Sequence, residues 1–354
     1  MSAASPLVTV VIPAYGAEEF IEHTMRSVAT QTHRPMELIV VEDCSPDRTS
    51  EIAESVAAAI AEPDFTVRVE HHDVNRGGAA ALRTGFDLAA GDFVCWLSAD
   101  DAYVLPEKTA NQVATMLAGA DLTFDTHSRI GPTPETATLA EHHWGNRKYR
   151  ASDDTYLIRP TWRLLSLNFA NPINGSSVMI RRETLEQCGS FDPTLRNIDQ
   201  DSDMWLRLTA LGARFRSTNE TGVFYRIHPG QTSNLTEEVD AGVTLTRVRV
   251  LLALARTGDL RRVLNRAWPV LILTRPGLFV HRPLVAQVLC ALGSSSGCGP
   301  VPRLLLAGLR REFVRRGMWD EDGLARALAD AEESSRSDEF QLFLERLRSR
   351  KGHL

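Results

Sequence analysis

Gly91-Asp-Phe-Val-Cys-Trp-Leu-Ser-Ala-Asp100-Asp101 is the stretch whose reading decides the fold. Residues 93 to 97 are aromatic, β-branched or aliphatic and carry no charge, the pattern of a strand buried on both faces of a parallel sheet. The run breaks into two adjacent carboxylates, and Pro106 then opens a helical segment. Ligands of open α/β sheets bind at the carboxyl ends of the strands, and two carboxylates there repel unless a cation or hydrogen-bond donors neutralise them. In isolation the acidic pair reads as a helix cap. The rest of the chain turns it toward a site for a metal and a phosphate.

Toward the N-terminus, Leu7 to Ile12 is a short apolar strand, and Ala17 to Thr30 carries Phe20, Ile21, Met25 and Val28 at helical spacing. A second strand, Glu37 to Val41, ends in Glu42-Asp43. Ser45-Pro46 then supplies an N-cap and a first-turn proline for a helix through Ala61. Phe65 to His71 is a third strand, leading through Asn75-Arg76-Gly77-Gly78 into an Ala-rich helix that ends at Ala90. Strand and helix alternate at βαβ spacing, which predicts an α/β protein with a mostly parallel, Rossmann-like sheet flanked by helices.

Downstream, a fifth strand near Asp121 to Thr126 precedes an irregular stretch, residues 127 to 160, of the kind that is functional or mobile. Order returns with a strand from Ser176 to Arg181, a helix around Ser202 to Leu211, and a last strand from Gly222 to Ile227 that ends in His228-Pro229-Gly230. From Thr236 the pattern is helical and rich in Leu, Ala and Arg. The expected division is 1–235, carrying the site, and 236–354, a helical region for acceptor use, oligomerisation or a membrane surface.

The chain has 354 residues, a 43% hydrophobic content that supports a globular core, and a formal net charge of −6, which argues against nucleic acid as a partner. Five widely spaced cysteines without a CxxC read as reduced cytosolic thiols. The opening Met-Ser-Ala-Ala-Ser-Pro lacks the regions of a signal peptide. The most apolar span, Ala267 to Leu292, is broken by Arg275, Pro276, His281, Arg282 and Pro283. The expectation is a cytoplasmic protein, soluble or peripheral to a membrane.

Six pieces carry a resemblance: Val8-Thr-Val-Val-Ile-Pro-Ala-Tyr15, Val40-Val-Glu-Asp43-Cys-Ser-Pro-Asp-Arg-Thr49, Asn75-Arg-Gly-Gly with Arg83, Leu97-Ser-Ala-Asp-Asp101, Asp199-Gln-Asp201-Ser-Asp-Met-Trp205-Leu-Arg207, and Tyr225-Arg-Ile-His228. In this order, over about the first 230 residues, the chain resembles the family 2 glycosyltransferases of GT-A fold. The resemblance implies inverting transfer of a sugar from a nucleotide diphosphate donor, with Mn²⁺ or Mg²⁺, to an acceptor hydroxyl. A UDP-sugar is the first expectation and a dTDP-sugar the second, with a glycan, a lipid-linked sugar or a natural product as acceptor.

Carried over by position, the donor side comprises Pro13, Tyr15, Glu18, Asp43, Asn75, Gly77, Arg83, Ser98, Ala99 and Asp100. Tyr15 would stack on the base and Asp43 would accept the pyrimidine N3 hydrogen; the bland alternatives are a half-buried core ring and a helix cap. Glu42 reads as an outward-facing neighbour. Gly77 and Gly78 would let backbone approach phosphate, with Arg83 a non-titrating fork for the anion, although such glycine pairs are commonly just turns. The expected metal ligands are Asp100 and His228, with Asp101 a third candidate. Ser98 stands where the family carries the first acid of its metal motif, and a hydroxyl is a poorer ligand than a carboxylate. Asp101 is either their hydrogen-bonded partner or the cap of the next helix.

Asp201 takes the place of the catalytic base, with Gln200 where the family has Glu and with Asp199 and Asp203 as competitors. Asn174, Ser176 and Trp205 are the acceptor-side candidates, Trp205 reading more readily as core than as an acceptor platform. His142, His143 and Trp144 are candidates for a mobile lid. Arg303 to Arg316 is a basic amphipathic segment for an anionic membrane, a dimer contact or a solvated face. Two rival functions remain. A sugar nucleotidyltransferase would carry a Gly-rich, basic loop after the first strand, where this chain has Pro13-Ala-Tyr-Gly-Ala-Glu18. A non-catalytic sugar-nucleotide-binding protein is suggested by Ser98 and Gln200 replacing acids.

Overall fold

Runs rich in β-branched, aliphatic and aromatic residues, with Glu37 in β2 and Arg68 and Glu70 in β3 as interior charges, form the first four strands: β1 (Val8–Ala14), β2 (Met36–Glu42), β3 (Phe65–His71) and β4 (Phe93–Trp96). The computed structural model describes residues 5–131, 159–169, 171–197, 199–231, 236–273 and 282–350, so the expected lid residues His142, His143 and Trp144 lie outside the described residues. Strand β1 pairs in parallel with both β2 and β4, with Ala14 opposite Glu42 and Val11 opposite Trp96, and β3 extends the ladder beyond β2. Alternate β1 residues serve opposite faces. Val8, Val10 and Ile12 pack with helices α1 (Ile21–Ala29) and α2 (Thr49–Ile60), whereas Val11 faces α3 (Gly78–Leu88).

Both early helices start later than expected. Residues 17 to 20 form a turn, with Phe20 and Ile21 amides donating to the Ala17 carbonyl. Ser45-Pro46 lies outside α2: the Ser45 amide donates to Glu42 Oε1, the Ser45 hydroxyl accepts from the Gly16 amide, and Asp47 Oδ1 accepts from the Thr49 amide. These residues tie the loop after β1 to the loop after β2. Likewise Pro106 precedes α4 (Lys108–Leu117) rather than entering it.

Beyond β4 the chain adds β5 (Ala102–Tyr103), β6 (Leu122–Ile130), α5 (Pro160–Leu167), a 3₁₀ turn at Gly175–Ser177, β7 (Val178–Arg181), α6 (Arg182–Cys188), a second 3₁₀ turn at Pro193–Leu195, α7 (Gln200–Ala210) and β8 (Phe215–Arg226). Strand β7 enters antiparallel between β4 and β6, β8 runs parallel to β6, and β5 lines the outer edge of β8, giving the order β3-β2-β1-β4-β7-β6-β8-β5. All strands except β5 and β7 point one way, so the sheet is mostly parallel, as expected. The ends of β1, β2 and β4 therefore share one edge, and β8 returns there with Arg226 and His228.

Among the described residues, helices α8 (Thr236–Thr257), α9 (Asp259–Leu273), α10 (Pro283–Ser295), α11 (Pro300–Arg315), α12 (Glu321–Ser334) and α13 (Asp338–Ser349) follow. One continuous apolar cluster runs from Val11 and Val94 through Met204 to Leu251, Val288 and Phe343. The boundary after residue 235 thus marks a change of secondary structure, not of packing. Across it, buried Arg249 of α8 pairs with Asp192 Oδ2 at 2.7 Å and Asp203 Oδ1 at 2.6 Å, while Arg207 pairs with Asp203 at 2.8 Å. Helix α11 leaves Leu304 and Val314 exposed, with Arg315 and Arg316 paired to Glu312. Among the described residues no helix is long and apolar enough to cross a membrane.

Removing one member of a buried charge network strands the others in low dielectric. Arg249→Ala is expected to destabilise the full chain by about 3–5 kcal/mol, read as a lower urea midpoint, because both Asp192 and Asp203 lose their shared cation. A midpoint within experimental error of the parent would contradict this account of the interface.

Candidate functional site

The end of β4 sorts its two acids by environment. The Asp101 amide donates back to the Ser98 carbonyl at 3.0 Å, closing a tight turn that points Asp101 inward and Asp100 outward. Asp101 is 1% exposed. Its Oδ1 accepts from the Arg226 amide at 3.0 Å and its Oδ2 from the Ser176 hydroxyl at 2.5 Å. Burial, and then the Asp100 charge, push the Asp101 carboxyl well above the ordinary range. The alternative of a helix cap is therefore corrected: Asp101 fastens β8 and the 175–177 turn beneath the acidic turn. Asp100 remains partly exposed, its Oδ2 lying 2.9 Å from His228 Nε2 and its carbonyl accepting from Arg226 Nε at 2.7 Å. The His228 ring packs on Phe20, centroids 4.8 Å apart.

Ser98 turns toward the 175–177 turn, not outward: its amide donates to Ser176 Oγ at 3.1 Å, and the two hydroxyls are 3.2 Å apart. Asn174 Oδ1 accepts from the Ser176 amide at 2.9 Å, which builds that turn. Ser176 is buried, so it supports the acidic turn from below. Ala99 is also buried, its carbonyl held by the Thr24 hydroxyl at 2.8 Å. Gly175 is required here by close approach, since a Cβ would lie 2.4 Å from Trp96 Cζ3.

Along the same edge, Tyr15 is 53% exposed beyond Ala14, while Pro13 sits within β1 opposite Val41. Glu18 is exposed and accepts from the Arg48 amide at 3.1 Å. Asp43 is 2% exposed. Its Oδ1 accepts from the Arg76 amide at 2.9 Å and lies 2.6 Å from His72 Nδ1, and its Oδ2 accepts from the Gly77 amide at 2.7 Å. His72 in turn reaches the Thr84 hydroxyl at 3.0 Å. Asp43 is thus the anchor of the loop carrying half-buried Asn75. Glu42, expected to face outward, is buried and accepts from the Ser45 amide.

The start of α3 departs from expectation. Gly77 has φ +91°, a conformation open to glycine, and what approaches it is protein: the Gly78 amide donates to Asn197 Oδ1 and the Ala79 amide to the Arg196 carbonyl. These donors are taken by the 193–197 segment. Arg83 is likewise committed, to Asp87 at 2.8 Å and to Glu339 of α13 at 2.6 Å, so its reading as an anion fork is corrected to a clamp between the two halves of the chain.

Three acids stand at the start of α7. Asp203 is fully buried and paired with Arg207 and Arg249. Asp199 is paired with Arg247 of α8 and accepts from the Thr246 hydroxyl at 2.6 Å. Asp201, between them, accepts among the described residues from neutral donors, Asn171 Nδ2 at 2.9 Å and the Ser202 amide at 2.7 Å. Burial, reinforced by the neighbouring Asp199 charge, raises the Asp201 carboxyl to about 7. Trp205 is 0% exposed with Nε1 donating to the Ile173 carbonyl at 3.3 Å, so its acceptor-side reading is corrected to core.

Residues 9–181 match the sequence family described as Glycosyl transferase family 2. Over 234 residues, 64% of this chain and 81% of the relative, the sequence is 35% identical to TuaG, a glycosyltransferase assigned to teichuronic acid biosynthesis in Bacillus subtilis (strain 168). The chain belongs to glycosyl transferase family 2. It is 23% identical over 228 residues (64% of this chain, 80% of the relative) to WfaP of Escherichia coli, a UDP-Glc:alpha-D-GlcNAc-diphosphoundecaprenol beta-1,3-glucosyltransferase. Solved structures share the fold: S. aureus TarS 1-349 in complex with UDP-GlcNAc has a TM-score of 0.59 at 16% identity, covering 92% of this chain and 91% of that one. The Pyrobaculum calidifontis mannosyltransferase PcManGT, in complex with GDP-Man and Mn²⁺, has a TM-score of 0.56 at 17% identity, covering 94% and 87%. Membership makes this chain a glycosyltransferase of GT-A fold and removes both rival functions.

For the family 2 enzyme, a divalent ion fits two of the groups just described. Asp100 and His228 converge from separate strands on one partly exposed point, and a Mg²⁺-type ion needs few protein ligands when donor phosphates and water complete its shell. Asp101 does not fit, because both its oxygens are turned inward. Among the described residues no group of three or more His, Cys, Asp or Glu could hold a metal alone. Sequence reasoning missed His72, Arg226 and Arg247. His72 and Arg226 stand at strand ends on the functional edge, a position that could have flagged them; nothing local marks Arg247.

The tight seating of Gly175 on Trp96 gives a direct test of this architecture. Gly175→Ala is expected to lower stability by about 1–3 kcal/mol in thermal or chemical denaturation, through overpacking. Ala at Gly308, inside α11 and with nothing within 4 Å of its added Cβ, is the control and should raise the midpoint slightly through helix propensity.

Proposed function

We propose that this family 2 glycosyltransferase moves a sugar from a UDP-sugar, with dTDP-sugars second, to an acceptor hydroxyl with inversion, using Asp201 as general base. The observation that carries this reading is the contrast among three neighbouring acids: Asp199 and Asp203 are neutralised by arginines, whereas Asp201, among the described residues, accepts from Asn171 and Ser202 and is raised to about 7. A base poised near neutrality takes a proton efficiently and is ready to do so again at the same pH. Asp201 would remove the acceptor hydroxyl proton as that oxygen bonds to the anomeric carbon and the bond to the diphosphate breaks.

On the donor side, exposed Tyr15 offers a face for the base. Asp43 receives three protein donors for about four lone-pair sites, which leaves room on Oδ2 for an imide N–H. Uracil and thymine share that imide. Pro13, Glu18 and Asn75 shape the rim around it. Asp100 and His228 would hold Mn²⁺ or Mg²⁺, whose chemistry when bound is to neutralise the departing diphosphate. The relatives support the class of donor: WfaP is named for UDP-Glc, TarS is complexed with UDP-GlcNAc, and PcManGT holds GDP-Man with Mn²⁺. WfaP's name also supports a lipid-linked glycan as acceptor. Asn174 and Ser176 bear on the acceptor side by shaping the turn next to Asn171.

Two measurements test the assignment. Asp201→Asn keeps shape and removes basicity, so turnover should fall about 10²- to 10⁴-fold with UDP affinity retained. In the parent enzyme Asp201 must be deprotonated to act, so turnover should rise with pH through about 7 and that limb should vanish in the variant. Normal turnover in Asp201→Asn would reject the base.

For the metal, Asp100→Ala should abolish the part of UDP affinity that depends on added Mn²⁺ in calorimetry. Metal-dependent affinity that persists unchanged would remove Asp100 from the site.

A further inference from the structure

Helix α7 begins from an awkward residue. Asp199 has φ +52°, in the left-handed region, which is unfavourable for a non-glycine residue and persists where its surroundings hold it. Those surroundings come from the C-terminal helices. Arg247 Nη1 and the Thr246 hydroxyl, both on α8, donate to the same Asp199 oxygen. Arg247 Nη2 lies 3.4 Å from the Ser202 hydroxyl. The Arg247 and Asp199 side chains are 3% and 9% exposed, so the pair is sheltered from screening. A guanidinium from the helical region therefore grips the residues on both sides of Asp201.

We propose that Arg247 and Asp199 form a positioning pair for Asp201, fixing the turn that presents the base and setting the local charge around it, so that the C-terminal helices complete the site. The proposal rests on the reading of Asp201 as base. Its chemistry is a balance of opposite signs. The Asp199 anion beside Asp201 disfavours the second carboxylate, and the Arg247 cation favours it. Other charges on the packed elements are spent elsewhere: Arg249 on Asp192 and Asp203, Arg207 on Asp203, and Arg163 of α5 on the Thr209 hydroxyl and the Ala213 carbonyl at the far end of α7.

The test is a ¹³C-carboxyl titration of aspartate-labelled full-length chain, with the Asp201 signal identified by its loss in Asp201→Asn. Asp199→Asn should lower the Asp201 midpoint by about one pH unit, and Arg247→Met should raise it by a similar amount, as expected for charges a few ångströms away. Arg247→Lys should return it toward the parent value. A merely structural role predicts a different pattern: loosening the turn admits water, which would lower the midpoint in both variants. Shifts of the same sign, or no shift in either, overturn the proposal. If Arg247→Met does not fold, Arg247→Gln takes its place beside Asp199→Asn, and a midpoint that is unchanged or lowered in Arg247→Gln overturns it. Failure of the base assignment itself would instead show as normal turnover in Asp201→Asn, with the titrations unaffected.

Discussion

The parallel hydrogen-bonded ladder of β1 with β2 and β4 is the constraint on which the rest of the site depends. Because Ala14 lies opposite Glu42 and Val11 opposite Trp96, the loops that follow the three strands leave the sheet along one edge. Tyr15, Asp43 and the 98–101 turn are neighbours there for reasons of register alone. The ladder is secured from both sides, since alternate residues of β1 are committed to different cores. A slip by one residue would exchange those faces and move each loop out of line.

Charge is then distributed so that each acid has a distinct environment. Asp101 is buried against Ser176 and the Arg226 amide, Asp100 faces outward beside His228, Asp43 is held by a loop it helps to shape, and Asp199 and Asp203 are matched to arginines. Placing the same residue type in such different surroundings is how one chain obtains buried anchors, a partly exposed acid and an acid raised to about 7 from identical chemistry. Buried pairs of this kind are weak evidence for stability, because desolvation offsets the attraction. An arginine docked one turn out of place would leave Asp192 without its cation and Asp203 with Arg207 alone.

The first four strands and the acidic turn were legible because each rests on local pattern: apolar-rich runs, a break into carboxylates, turn residues between. The assignment of Asp100 and Asp101 to opposite sides of their turn was not legible, since it is decided by Ser176 and Arg226 from remote strands. Strand β5 is two residues long and leaves no periodic signal, and β7 joins the sheet antiparallel through long-range pairing. Arg83 was misread for the same reason, its partner Glu339 lying 256 residues away. Trp205 resembled a surface platform in the motif, but α7 is buried along nearly its whole length, which periodicity in an acidic first turn conceals.

The shared cation at Arg249 bears on how such enzymes can be recombined. Its partners Asp192 and Asp203 lie in one half of the chain and Arg249 in the other, as do Asp199 and Arg247, and Arg83 and Glu339. A chimaera that exchanges the helical half for that of a relative at residue 235 would inherit one side of each pair without the other. Modules exchanged in evolution or in the laboratory must therefore carry both sides together, so that the unit of inheritance is the charge-matched interface and not the stretch of chain on either side of it.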